Sequence, residues 1–399
     1  MRSSRWVVGG AVAASLAVAA TFTVPPAVGA SRAFTSKIPA ITAKSFTVTF
    51  KVMRELTGLA KQGRGKIAAI LPDTVSSTRY VEFDAPYLRK SMTLAGIKAS
   101  TQIVQNALGT TARELSDAET DIAKGAKVLL MDPLTSGTGA AIEAYANAHG
   151  VPVVDYDRLT LGGSRKYYVS FTNVRVGKLM GQGLVSCIGA WHVKNPHVLV
   201  MHGAVTDNNA TLFAAGYNSV LTPLFKHHRY TLVGRTAGTW TPPVQASEFE
   251  AAFTAHPTIN AVLIPNDETG APIITYLKSK GVKARTFPTT GQDATLTGLH
   301  NVLAGYQCGT VYKPIYLEAQ AAVTLALFLR AGKTPPRTLV NGRVRDVVEH
   351  IMVTSVLLTP EWVTTKNMKA TIVKDNFVPT KTLCQGTYAS RCRAAGITP

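Results

Sequence analysis

The chain contains neither a C-x-x-C nor an H-E-x-x-H motif, and its histidines show no metal-ligand spacing, so no structural or catalytic metal is expected. Its glycine-rich fragments fall short of nucleotide sites. Gly137-Thr138-Gly139 follows a strand and opens a helix, but Ile142 stands where the third glycine of a dinucleotide fingerprint belongs. Gly332-Lys333-Thr334 has Leu327 in place of a phosphate loop's first glycine, and it closes a helix instead of opening one. No cofactor is expected. Beyond Ala30 no stretch approaches the ~20 apolar residues of a membrane span. Acidic residues are scarce, 23 against 42 Lys and Arg, which leaves a formal charge of +19.

That excess is not spread evenly. Residues 31–64 carry seven Lys/Arg against Glu55, and residues 366–399 carry six against Asp375. The charge therefore sits mostly in a basic N-terminal extension (31–64) and a basic C-terminal tail (366–399), not along a groove, and nucleic acid is not an expected partner. Both read as solvated ends, with an anionic envelope surface as the electrostatic alternative. Ahead of them, Arg2 and Arg5 precede an apolar run from Trp6 to about Val24 and a small-residue site at Val28-Gly29-Ala30. Residues 1–30 read as a secretory signal peptide, with an uncleaved anchor as the alternative. No lipid-attachment cysteine follows. The expected product is exported, to the periplasm or the outer face of the cytoplasmic membrane.

Cysteines in an exported chain can pair. Cys384 and Cys392, close together in the polar tail, are expected to form a disulfide. Cys187, in an apolar helical run, and Cys308, in a predicted strand, read as buried thiols.

From Lys66 onward, short apolar strands alternate with helical periodicity of ten residues or more. Such alternation means βαβ units and a parallel sheet with helices on both faces. The rhythm runs once from Lys66 to Phe171 and again from Val174 onward, so the fold expected is α/β: two Rossmann-like, doubly wound parallel-sheet lobes joined by a hinge. Lobe 1 is assigned 65–172 plus 314–333, and lobe 2 is assigned 173–313 plus 334–365. Ser45–Leu59 shows some helical periodicity but has no clear place in either lobe.

Polar groups recur where these strands end, and ligands of open α/β sheets bind outside the carboxyl ends of strands. Asp157 and Arg158 close P-V-V-D-Y-D-R, Asn266 and Asp267 follow A-V-L-I-P, Asp293 lies in T-T-G-Q-D-A, and Lys313 in G-T-V-Y-K-P. A carboxylate beside a guanidinium satisfies sugar hydroxyls, which both donate and accept; the same pair also reads as an internal salt bridge. Trp240 in G-T-W-T-P-P reads as a sugar-stacking ring or as a core residue. Asn266 and Asp293 could equally cap helices. No nucleophile–base pair stands among these groups, so the set reads as binding.

In combination and order, V-D-Y-D-R, Y-V-S-F-T-N, T-D-N-N-A-T-L-F, I-P-N-D, T-G-Q-D-A and T-V-Y-K-P resemble the type I periplasmic sugar-binding proteins of ABC importers, nearest to D-xylose-binding proteins. The resemblance spans about Lys66 to Pro379. It implies a monomer that captures a monosaccharide, xylose or a related pentose or hexose, by hinge closure and delivers it to a permease driven by a separate ATPase. It implies ligand contacts from Arg79, Tyr80, Asp157, Arg158 and Asn173 on one side and Asn209, Trp240, Asn266, Asp293 and Lys313 on the other. Three departures bear on the sugar: Arg79-Tyr80 replaces Arg-Trp, Phe171-Thr172-Asn173 replaces F-D-N, and Leu212-Phe213-Ala214-Ala215-Gly216 replaces L-F-R-A-G. A sugar sensor feeding a receptor kinase or chemoreceptor would use the same site. An exported glycosidase would need Asp157 and Asp293 as its carboxylate pair, yet Arg158 and Lys313 beside them disfavour a general acid.

Overall fold

The computed structural model describes Trp6, Val7, Gly9, Gly10 and residues 40–398. The signal peptide expected over 1–30 otherwise lies outside the described residues, as does the start of the extension.

Short helices α1 (Lys51–Glu55) and α2 (Thr57–Ala60) precede the alternating body. The first series is β1 (Lys66–Leu71), α3 (Ala85–Leu94), β2 (Gln102–Asn106), α4 (Thr111–Ala123), β3 (Ala126–Met131), α5 (Ser136–Ala148), β4 (Val153–Tyr156) and β5 (Tyr167–Phe171). One π-helical turn, Tyr80–Asp84, leads into α3. The second series is α6 (Asn173–Ala190), β6 (His197–Val200), α7 (Asn208–Lys226), β7 (Thr231–Arg235), α8 (Pro242–Ala255), β8 (Ala261–Leu263), α9 (Asp267–Ser279), α10 (Leu296–Ala304) and β9 (Thr310–Tyr312). The chain then makes α11 (Ile315–Arg330), β10 (Gly342–Asp346), β11 (Ile351–Leu358), β12 (Glu361–Val363), α12 (Thr380–Leu383) and α13 (Tyr388–Ala394).

Strands of the first lobe form a seven-stranded sheet in the order β10-β11-β5-β4-β3-β1-β2, parallel except for β10. The second lobe has parallel β7-β6-β8 and an antiparallel β12-β9 pair. Single bridges from Val262 to Thr289 and from Gln292 to Val311 join the two through residues 289–292. Each lobe thus reverses strand order beside its first strand, which opens a crevice at the strand carboxyl ends. Both sheets belong to one compact unit.

Local sequence accounts for the main packing. In α11 every residue from Glu318 to Phe328 is buried, its apolar side chains in the core and its polar ones, Glu318, Gln320 and Thr324, hydrogen-bonded. It lies against β3, β4 and β5 on one side and α2 and α3 on the other. Helices α6 and α7 meet backbone to backbone because Gly177 and Gly216 leave no side chain between them.

Three expectations need correction. Residues 334–365 do not all go with the second lobe: β11 pairs with β5, where Ser355–Leu358 register with Tyr168–Phe171, and only β12 joins β9. The ends are not merely solvated. Phe50, Met53 and Leu56 are buried in the first lobe's core, and Met368, Ile372, Leu383 and Ile397 are buried beyond the second. Their cations face outward from folded segments. Finally, Cys187 and Cys308 are not thiols but a disulfide that ties α6 to the approach of β9. The Cys384–Cys392 disulfide is present as expected.

Candidate functional site

Asp157 follows β4 and Asp293 follows the bridging segment 289–292, and both have left-handed backbones, φ 58° and 91°. A side chain in that region costs about 1–2 kcal/mol, and such strain persists where surrounding structure over-determines it. Here the two carboxylates are turned into the crevice, one from each lobe. Lys313, at the end of β9, lies between them, with Nζ 3.0 Å from Asp293 and 3.7 Å from Asp157. Ser77 donates to the other oxygen of Asp293 at 2.8 Å.

The first lobe's wall is a buried ion cluster. Arg79, 1% exposed, donates from Nε and Nη2 to Asp84 (2.9 and 2.7 Å), from Nη1 to Asp157 (2.9 Å) and from Nη2 to Glu318 (2.8 Å). Arg158 donates to the Tyr80 hydroxyl at 3.0 Å and to the Pro133 carbonyl at 3.3 Å, and its Nε lies 3.5 Å from both Asp132 and Asp207. Burial pushes the Asp157 carboxyl up, but Arg79, Lys313 and Arg158 more than offset this and hold it at about 2. Burial likewise works to lower the Lys313 pKa, yet Asp157 and Asp293 leave it raised. Burial raises Asp84, Asp132 and Glu318, which share these few cations. Asp157 is therefore ionised at neutral pH, an acceptor held in place by its cations.

Besides Asp293 and Lys313, the second lobe contributes Asp207, amides and an indole. Asp207 caps α7 by accepting from Asn209 N (2.8 Å) and also accepts from the Trp240 indole N–H (3.0 Å). The Trp240 ring lies against Gly203, where any Cβ would collide with it. Asn266 caps α9 through Thr269 N (2.9 Å) and donates across the cleft to the Ser76 carbonyl (2.8 Å). Asn209 donates to the Asp157 carbonyl at 3.0 Å. With the lobes in this contact, the space between them is about 20 Å³, enough for a water or so.

Residues 67–334 match the periplasmic binding protein domain. The chain belongs to the periplasmic binding protein family. It is 32% identical to the D-xylose-binding periplasmic protein of Escherichia coli over 84% of its own length and 97% of that relative's. It is 31% identical to the D-xylose-binding periplasmic protein of Haemophilus influenzae over 69% of its length and 80% of that relative's. Among solved structures, a carbohydrate transporter solute-binding protein from Chloroflexus aurantiacus in complex with D-glucose superposes with a TM-score of 0.69 at 25% identity, covering 79% of this chain and 97% of that one. The two-lobed type I fold expected from the alternation is the one found.

In this periplasmic binding protein, nine of the ten residues singled out from the sequence line the same cleft: Arg79, Tyr80, Asp157, Arg158, Asn209, Trp240, Asn266, Asp293 and Lys313. Asn173 does not. It sits behind Asn209, donating to that side chain at 2.7 Å and to the Tyr168 hydroxyl at 3.1 Å, so it orients a lining amide instead of lining the cleft. The salt-bridge alternative for Asp157 with Arg158 is not what forms among the described residues: Arg158 Nε lies 3.5 Å from Asp132 and Asp207, and Asp157 pairs with Arg79. Asn266 is both cap and lining residue; Asp293 caps nothing, because Thr295 caps α10. Ser76, Ser77, Asp207, Phe213 and Gln292 also line the cleft and escaped the residue-by-residue reading. For Asp207 a signal existed, since it lies in T-D-N-N. The serines carry no pattern that separates them from an ordinary loop.

Proposed function

We propose that this protein captures a neutral monosaccharide, D-xylose or a related pentose or hexose, between its lobes and delivers it to an ABC permease powered by a separate ATPase. The observation that carries this reading is the pair Asp157 and Asp293, turned inward from opposite lobes with Lys313 between them and Trp240 beside them. Carboxylates accept from sugar hydroxyls, cations donate to them, and the indole covers an apolar C–H face. Charge-assisted hydrogen bonds contribute about 1.5–3 kcal/mol each, so a handful reaches the roughly 8 kcal/mol of micromolar binding.

Because about 20 Å³ separates the lobes here, a sugar enters only when they part. Groups of both lobes that now bond each other, Asn266 to Ser76 and Ser77 to Asp293, are then freed. Ligand favours the closed form because only closure brings both walls to it. The same charges speak against hydrolysis: Asp157, held at about 2, is no general acid at neutral pH. Export, action as a monomer outside the cytoplasmic membrane and the absence of catalysis belong to this reading. No helix among the described residues is long and apolar enough to cross a membrane.

Calorimetric titration of the purified chain with D-xylose, L-arabinose, D-ribose, D-glucose and D-galactose tests it. The expected result is saturable micromolar binding of one or two of them, abolished in Asp293→Ala and weakened in Trp240→Ala. No heat with any of the five sinks the reading.

A further inference from the structure

A second cavity, of about 730 Å³, lies in the second lobe apart from the cleft and shares no lining residue with it. Its wall is the outer face of α6 from Leu179 onward, together with the ends of α10 and β12. The volume falls in the range of small-molecule sites, whereas the cleft in its present contact holds about a water.

The lining sets indoles among neutral polar side chains, Gln182, Ser186, Gln307, Thr364 and Thr365. Trp191 and Trp362, two of the chain's four tryptophans, both face it. Trp362 is fixed in place, because Gly183 and Gly309 leave the indole lying on their backbones, and a Cβ at Gly309 would come within 2.6 Å of the ring. Leu179, Val302 and the Cys187–Cys308 disulfide complete an apolar floor. No lining residue is acidic, while Arg285 and Lys366 are exposed at the rim, and neither has an ion-pair partner among the described residues. Arg285 is held with φ 61°, its N–H bonded to the Gly305 carbonyl at 2.7 Å. A neutral sugar would find no carboxylate here to accept its hydroxyls, in contrast to the cleft. Two indoles, one of them fixed, with unpaired cations suit a flat apolar body bearing one negative charge.

We propose that this cavity is a second ligand site, for a small aromatic anion of the arene carboxylate or arene sulfonate class, its ring against Trp191 and Trp362 and its charge toward Arg285 and Lys366. The site is independent of the sugar reading and stands or falls separately from it.

The probe is 8-anilinonaphthalene-1-sulfonate, with neutral N-phenyl-1-naphthylamine as its uncharged counterpart and D-xylose calorimetry on the same samples. The expected result is one saturable sulfonate site per chain, not displaced by saturating sugar. Reversing the rim charges (Arg285→Glu with Lys366→Glu, both exposed) should weaken it ~10-fold or more while the neutral probe changes less than ~2-fold. Ala190→Trp, an exposed position on the cavity wall, should place an indole in the space and weaken both probes while leaving sugar heats unchanged. The proposal is overturned by the absence of saturable binding, by displacement with sugar, by indifference to the charge reversal, or by unchanged affinity in Ala190→Trp. A second xylose per chain, lost in Ala190→Trp, would overturn the ligand class.

Discussion

The first lobe meets the cleft with a network of desolvated charge, Arg79 alone bonding three carboxylates, while the second sets three buried charged side chains, Asp207, Asp293 and Lys313, among amides and an indole held by helix caps and a glycine. The two also hold themselves together differently. The first has a seven-stranded sheet and, among the described residues, no disulfide; the second has fewer paired strands and the Cys187–Cys308 staple. A charged wall must be assembled in advance, because a buried charge without its partner is costly. The second lobe's Asn266 and Asp293 bond across the cleft to Ser76 and Ser77, so they change partners as the lobes part and close. The first lobe's Arg79 cluster, by contrast, keeps its bonds to Asp84, Asp157 and Glu318 within that lobe.

The strongest way to break this contrast is Arg79→Met. Removing the shared cation leaves Asp84, Asp157 and Glu318 buried without it, so a loss of about 3–5 kcal/mol is expected in denaturant unfolding. A loss under ~1 kcal/mol would mean the cluster is not what organises that wall. In the second lobe, Cys187→Ser with Cys308→Ser opens a connection between residues 121 apart and should cost about 2–4 kcal/mol. The same pair of changes at Cys384 and Cys392, only 8 apart, should cost less. Equal costs would argue against the loop-entropy account.

Asp157→Asn and Asp293→Asn sharpen the contrast, since asparagine tolerates the left-handed backbone both positions need. Each should weaken sugar binding by about 1.5–3 kcal/mol, roughly 10- to 150-fold. Asp157→Asn should lower stability more than Asp293→Asn, because Asp293 pairs with Lys313 alone whereas Asp157 pairs with both Arg79 and Lys313. Its carboxyl is depressed to about 2, so its contribution is present above the usual carboxylate range and is lost as pH falls from about 4 toward 2. Acid unfolding of wild type and Asp157→Asn should converge there, and curves that stay parallel would count against the pairing.

The smallest effect lies outside the cleft. Glu114 in α4 accepts from Leu134 N at 2.9 Å, and its other oxygen has no partner among the described residues. Burial raises its carboxyl to about 7, against the opposing effects of the Leu134 bond and Arg158. A raised carboxyl stabilises the fold fully below about pH 4.5 and ceases to do so as pH rises through about 7. Glu114→Gln should therefore add about 1–2 kcal/mol at pH 8 and little at pH 5. Equal change at both values would place the effect elsewhere than in titration.

What was legible in the sequence followed from local periodicity. Alternating apolar strands and helical stripes from Lys66 onward mark the elements, and polar residues at strand ends mark the cleft, because strand direction carries them to one edge. The family resemblance implied Asn173 as a lining residue, yet at the first position of α6 its side chain bonds Asn209 and the Tyr168 hydroxyl from behind. Nothing in the strand 351–358 says which sheet it joins, and its pairing with β5 is a contact between distant residues. Nor do the apolar surroundings of Cys187 and the strand-like context of Cys308 reveal that each lies opposite the other.

By itself the sequence determined the order and type of elements, the polarity of strand ends and the sign of the charge at each terminus, since these depend on neighbours within a few positions. Only the tertiary structure decided which arginine is paired, which carboxylates stay ionised, which cysteines join and where the aromatic cavity lies. Each of these depends on distance and desolvation between residues far apart in the chain, and a linear pattern carries neither.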